Sequence, residues 1–255
     1  MIVESPRFVP DTNVVMACLI SGVHDVNRNT TLTDDNHQLV KEWAESITAA
    51  NLKGVIFHNN FSEETCKSFD NETISFVKIA YDTQFNPNVF RYFAYRNFLR
   101  ENIQQIKGIF ITDVTDVVLV KNPFTDPLFI ENSSALFCGD EPKLLNNDWM
   151  IAHAENLRKN IHDYAEYESN FGDEILLNCG IIGGSSSLLL DFLHQLCAIH
   201  QHANHDNKTA YTGDMGAFNY LARTQFNSQL IHGTPVNTVF KEYENERNDC
   251  WFRHK

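Results

Sequence analysis

The sequence predicts an α/β chain whose mostly parallel central sheet is flanked by helices. Short apolar, β-branched segments alternate with amphipathic ones, and most of the apolar segments end in glycine or polar turn residues. A chain of 255 residues is long enough to bury one full core of this class. We therefore expect a single domain over 1–255, with one functional part at about 12–125 and another at about 126–255.

Residues 14–20 read as a first strand, closed by Ser21-Gly22. Residues 36–51 carry Leu39, Val40, Trp43 and Ile47 at helical spacing, and Gly54 stands just beyond. Val55-Ile56-Phe57 and residues 74–81 supply the next two strands. Strand, helix, strand in this rhythm favours parallel pairing through crossover helices. A long helix over 88–106 follows Pro87, which suits a first helical turn. It turns Phe90, Phe93, Ala94, Phe98 and Ile103 toward a core and Arg91, Arg96 and Arg100 elsewhere.

Residues 109–120 form an apolar strand-like run that carries Asp113 and Asp116 and is broken at Asn122-Pro123. Residues 134–138 read as another strand, closed by Gly139-Asp140-Glu141-Pro142. The stretch 143–172 is polar and aromatic without clear periodicity, and reads as an excursion over the sheet edge. Residues 176–184 are a strand interrupted by Gly180, Gly183 and Gly184, a sign that a ligand or another chain segment comes close. Helices are expected over 185–200 and from Asp214 to about 224.

Thirty-three acidic residues against 20 basic ones give a formal net charge of −13, which opposes nonspecific binding to nucleic acid or to an anionic membrane. A phosphate-bearing ligand would then need a local cation site. The six cysteines have no metal-knuckle or redox spacing and read as buried free thiols of a reducing compartment. His200, His202 and His205 fall in a polar stretch that reads as a solvated loop rather than a metal cluster. The first residues lack the pattern of a signal peptide, and no apolar run reaches the ~20 residues of a membrane span. A cytoplasmic location is expected.

Asp113 and Asp116 are the most informative residues. A carboxylate beside an apolar strand needs a compensating cation, donor or water. Two of them at a strand-to-turn junction suit Mg2+ or Mn2+, which take hard oxygen ligands and share the rest with substrate phosphates. A turn cap beside a solvated acid explains an isolated Asp-x-x-Asp equally simply.

Taken in order, Thr112-Asp113-Val114-Thr115-Asp116, Asn178-Cys179-Gly180-Ile181-Ile182-Gly183-Gly184, Gly213-Asp214-Met215-Gly216-Ala217-Phe218-Asn219 and Trp251-Phe252-Arg253-His254-Lys255 resemble a GT-A-fold glycosyltransferase. The resemblance spans about residues 14–255. It departs from the usual Asp-x-Asp pattern, and the Asn-Cys-Gly and Asp-x-x-x-Phe-Asn pair is most similar to retaining, glycogenin-like enzymes.

The resemblance implies a Rossmann-like, metal-dependent enzyme that moves a sugar from a nucleotide-diphosphate donor to a saccharide or glycoconjugate acceptor, with retention. The part at 12–125 would bind the nucleotide and the part at 126–255 the sugar and acceptor. Asp116, Asp113 and His254 would hold Mn2+ or Mg2+, with Asp113 facing the metal or the donor ribose. Lys255, Lys241 or Arg253 would neutralise phosphate, and His232 is a further phosphate or metal contact. Asp214 would stand near the reacting sugar, Asn178 would contact a sugar hydroxyl, and Gly180 would let the backbone approach. Ser21 lies where this fold contacts the base. Arg91 and Tyr95, one turn apart, would reach diphosphate or ribose unless they serve surface salt bridging.

Inversion would instead need a carboxylate base, for which Asp140, Glu141 or Asp214 are candidates. Trp251 and Phe252 would anchor the tail, and the aromatic stretch 149–171 would line the acceptor site or the core. The class suggests peripheral association with membrane-bound assembly partners. Two rivals remain at this level. One is a phosphohydrolase with an Asp nucleophile, against which Thr115 stands where a second acid is needed. The other is a noncatalytic carbohydrate-binding relative.

Overall fold

The structure, a computed structural model, describes residues 13–25, 29–206 and 208–255. The signal-peptide expectation for the first residues lies outside these. The chain runs β1 (Asn13–Leu19), β2 (His24–Asp25), β3 (Thr30–Thr31), α1 (Gln38–Ala49), β4 (Lys53–His58), α2 (Glu63–Phe69), β5 (Ile74–Lys78), α3 (Pro87–Asn102), β6 (Gly108–Thr112) and β7 (Val117–Leu119). It continues with α4 (Pro127–Glu131), β8 (Leu136–Leu144), α5 (Asp148–His153), α6 (Glu155–Asn160), α7 (Tyr164–Phe171), β9 (Ile175–Ser185), α8 (Ser186–Ala203), α9 (Asp214–Gln225), β10 (Leu230–His232) and β11 (Phe252–His254).

Seven strands form one sheet in the order β10-β8-β9-β6-β1-β4-β5. All neighbouring pairs are parallel except those made by β9, which runs antiparallel to both β6 and β8. The expected mostly parallel α/β sheet is therefore present. The strand order reverses at β1, which lies between β6 and β4, and the carboxyl ends of β1 and β6 meet there. Such switch points are where open α/β sheets leave a crevice for ligands.

Alternation along the strands makes two cores. Val14 and Met16 of β1 and Ile109 and Ile111 of β6 face α3, α8 and α9, whereas Val15, Ala17 and Phe110 face α1 and the tail residues Trp251 and Phe252. Helix α3 starts where Asn86 accepts a hydrogen bond from the Val89 amide and Pro87 occupies the first turn. It is buried on most sides, including Phe90, Phe93, Tyr95 and Phe98, so it lacks a single apolar stripe. That explains a first correction: Arg91 lies in the buried interior, 8 % exposed, and not on an outward face.

Four further expectations change. The run 109–120 is two strands: β6 belongs to the large sheet, a bend over 113–116 carries both acids, and β7 pairs with β11 in a separate ribbon. Residues 139–142 do not close a strand, because β8 continues to Leu144 with its register shifted against β9. The stretch 143–172 is three short helices, α5 started by Asn147, which accepts from the Met150 amide. His200 is fully buried in α8, stacked on Tyr92 and hydrogen-bonded to the Tyr211 hydroxyl at 3.1 Å, not in a solvated loop. All six cysteines are free thiols. No helix among the described residues is long and apolar enough to cross a membrane.

Candidate metal and ligand cleft

The bend after β6 places Asp113 at the sheet's carboxyl edge, where its amide donates to the Gly180 carbonyl at 2.8 Å. Asp116 follows one turn later, immediately before β7. The antiparallel β7–β11 register sets His254 opposite Val117, next to Asp116 in sequence. The Lys255 amide donates to the Asp116 carbonyl at 2.9 Å and the His254 amide to Thr238 Oγ1 at 3.1 Å. Two fully buried aromatics hold this tail in place: Trp251, whose indole donates to Asp126 Oδ2 at 3.0 Å, and Phe252. The anchoring expected of them is what the packing provides.

As a result Asp113, Asp116 and His254 each offer a ligand atom, all within 4.8 Å of one another. His254 is 1 % exposed and its ring lies 4.5 Å from that of Phe240. The two carboxylates suit Mn2+ or Mg2+, and the imidazole, a ligand of transition metals, favours Mn2+ of the two. The floor fits as well: a Cβ at Gly180 would stand 2.5 Å from His254 Cε1 and 3.1 Å from Asp113 Oδ2. Glycine there lets β9 run directly beneath the three donors.

The cleft above this floor encloses about 300 Å³. Of the residues expected at a site, it gathers Arg91, Asp113, Asp116, Asn178, Gly180, Lys241, Asp214 and His254. Arg91 donates through Nη1 to Asp113 Oδ1, and its other amino group reaches the Tyr92 hydroxyl at 3.2 Å. Burial opposes the guanidinium charge, yet the Asp113 carboxylate holds it protonated well above the ordinary arginine value. The guanidinium expected to reach a diphosphate is thus engaged with the Asp113 carboxylate of the candidate metal cluster.

Asn178 is clamped at both ends. Its Nδ2 donates to Glu141 Oε1 at 2.8 Å and its Oδ1 accepts from the Gly180 amide at 2.6 Å. Asp214, 5 % exposed, opens α9 in the cleft wall. Helix α9 is itself fixed to β9 by Asn219, whose side chain exchanges hydrogen bonds with both the amide and carbonyl of Leu177 at 3.0 and 2.8 Å. Burial pushes the Cys179 thiol up to about 12, so this cleft residue stays neutral.

No family model and no curated protein matches this chain.

Six expected residues, Tyr95, Ser21, His232, Lys255, Arg253 and Asp140, are not brought to the cleft wall, and the Arg253 guanidinium donates to the Asn245 carbonyl. Tyr95 is core, its ring edge-on to Phe57. The Ser21 amide donates to Asn59 Oδ1 at 3.0 Å. His232 pairs with Asp140 at 2.9 Å. The Lys255 ammonium turns to Glu42 at 2.6 and 2.5 Å. Conversely, Asn88, Lys143, Asn147 and Phe240 line the cleft without any motif in the sequence announcing them. Glu141 and Trp149 do so too, and they stood only within broader candidate sets. Lys143 and Asn147 fall just where periodicity failed: the extension of β8 carries Lys143, and the start of α5 carries Asn147.

Proposed function

We propose that the protein is a metal-dependent glycosyltransferase that moves a sugar from a nucleotide-diphosphate donor to a saccharide or glycoconjugate acceptor. The observation that carries this reading is the meeting of His254, far away in sequence, with Asp113 and Asp116 at a sheet switch point. The resemblance to GT-A enzymes supports it, because the same three residues were the ones expected to share an ion.

In this reading Asp113, Asp116 and His254 hold Mn2+ or Mg2+. The ion supplies Lewis-acid stabilisation of the charge that grows on the departing diphosphate. The chain's own residues do the rest. Arg91 fixes Asp113 through a buried ion pair and so aims it. Lys241, in the cleft wall, neutralises phosphate in this reading. Asp214 orients donor hydroxyls and faces the sugar as positive charge develops on it. The acidic balance of the chain disfavours nucleic acid as a partner.

The experiment is nucleotide release from a panel of UDP-, GDP-, CMP- and dTDP-sugars with Mn2+, with and without oligosaccharide acceptors. Release by the wild type that is lost on chelation and in Asp116→Ala and His254→Ala supports the reading. Release that Asp116→Ala sustains at the wild-type rate overturns it. So does metal-dependent hydrolysis of a generic phosphomonoester without any action on the sugar nucleotides.

A further inference from the structure

Strand β8 carries an irregularity beside the cleft. Asp140 pairs with Leu177 and Leu144 with Ile175, so β8 advances four residues while β9 advances two. The extra residues lie between Asp140 and Leu144, where Glu141 and Lys143 stand. Bulges of this kind re-aim side chains and concentrate next to functional sites. Here both Glu141 and Lys143 enter the cleft wall.

Glu141 is a buried carboxylate held in one orientation. Its Oε1 accepts from Asn178 Nδ2 at 2.8 Å, and its Oε2 lies 3.9 Å from Lys143 Nζ. The Asn178 amide has its opposite end on the Gly180 amide, and Gly180 lies against His254 and Asp113. Asn178 therefore separates Glu141 from the metal donors by the length of one amide and its hydrogen bonds. Lys143, Asn147 and a 40 % exposed Trp149, stacked on His153 at 3.9 Å, line the same cleft. An aromatic face fixed in this way suits a sugar ring arriving from solvent. Glu141 thus shares one cleft wall with an exposed aromatic suited to an acceptor sugar and with Asp113, Asp116 and His254.

We propose that Glu141 is the general base for the acceptor hydroxyl, and that transfer inverts the anomeric configuration of the donor sugar. This rests on the transferase reading and departs from the retention that the resemblance implies. The acceptor oxygen forms a bond to the anomeric carbon as its proton passes to Glu141 Oε2. The bond from the anomeric carbon to the diphosphate oxygen breaks, and its electron pair leaves with the diphosphate. Glu141 then returns the proton to water.

The test uses Glu141→Gln, which keeps an acceptor oxygen for Asn178, and Glu141→Ala with sodium azide, a nucleophile that needs no base. With the donor that the wild type consumes, Glu141→Gln should lower kcat about 100-fold or more. The thermal shift given by that donor with Mn2+ should match the wild type, showing fold and metal site intact. Glu141→Ala should gain activity with azide and yield a glycosyl azide of inverted configuration. Wild-type kcat in Glu141→Gln, with Asp116→Ala inactive, overturns this inference and leaves the transferase reading standing. An azide adduct or natural glycoside of retained configuration also overturns it alone. A wild type that consumes no sugar nucleotide overturns both.

Discussion

Arg91 and Asp113 form a buried ion pair that joins helix α3 to the bend carrying Asp113 and Asp116, with side chains only 10 % and 15 % exposed. Removing one partner of such a pair strips the other buried charge of its main counter-charge, at a cost of about 3–5 kcal/mol. Arg91→Leu should therefore lower the unfolding free energy by that amount in urea. A loss below about 1 kcal/mol, typical of a surface pair, would show that the charges are solvated in solution.

Gly180→Ala should weaken both metal binding and stability. The new methyl group would meet His254 Cε1 at 2.5 Å and Asn178 Oδ1 at 2.9 Å, so the donors must move apart. Overpacking of this kind costs about 1–3 kcal/mol. Calorimetric titration with Mn2+ should show affinity reduced at least about tenfold. Unchanged affinity would mean that the floor of the site yields freely.

Trp251→Ala and His254→Ala should differ in kind. Trp251 is fully buried and bonded to Asp126, so its truncation should cost about 3–5 kcal/mol and weaken Mn2+ binding indirectly by loosening β11. His254→Ala should abolish Mn2+ binding with a much smaller change in melting temperature. Equal melting temperatures for the two variants would contradict the tail-anchor role of Trp251.

Acid should destabilise the protein through His200. Burial, aided by the Arg91 charge, pushes its imidazole down to about 3, against 6.5 in the unfolded chain. Below 6.5 the unfolded state takes a proton that the folded state refuses, so stability is lost as pH falls from 6.5 toward 3 and is unaffected above it. One such site contributes a slope of ~1.4 kcal/mol per pH unit. His58, pushed down to about 4 by burial, adds the same sign over a narrower range. Urea titrations between pH 6.5 and 4.5 should give His200→Phe a slope shallower by about one proton. Equal slopes in variant and wild type would show that His200 is already protonated when folded.

Strong periodicity was readable wherever one face of an element meets solvent. Helix α1 buries Val40, Trp43 and Ile47, packs Leu39 and Ala44 half-buried beside them and turns its charged residues outward, and its limits fall within two residues of those expected. Helix α3 is packed nearly all round, so its pattern could not say that Arg91 points inward. His200 was misread for a related reason, since α8 extends past it to Ala203 and buries it under Tyr92. The bulge in β8 was invisible because Pro142 and the charged residues around it look like a turn. Asp116 and His254 illustrate a deeper limit: nothing local to either residue tells of the other, and only the β7–β11 pairing joins them.

The sheet order also bears on how the molecule is assembled. Strand β9 lies between β6 and β8, so β8 and β10, though β8 precedes β9 in the chain, join the seven-stranded sheet only through it. A nascent chain that ends before residue 175 can pair β5, β4, β1 and β6, and it then presents Asp113 and Asp116 with neither Gly180 beneath them nor His254 beside them. The candidate metal donors, the cleft wall and the Glu141 bulge therefore come together only once β9 has entered the sheet and β11 has paired with β7.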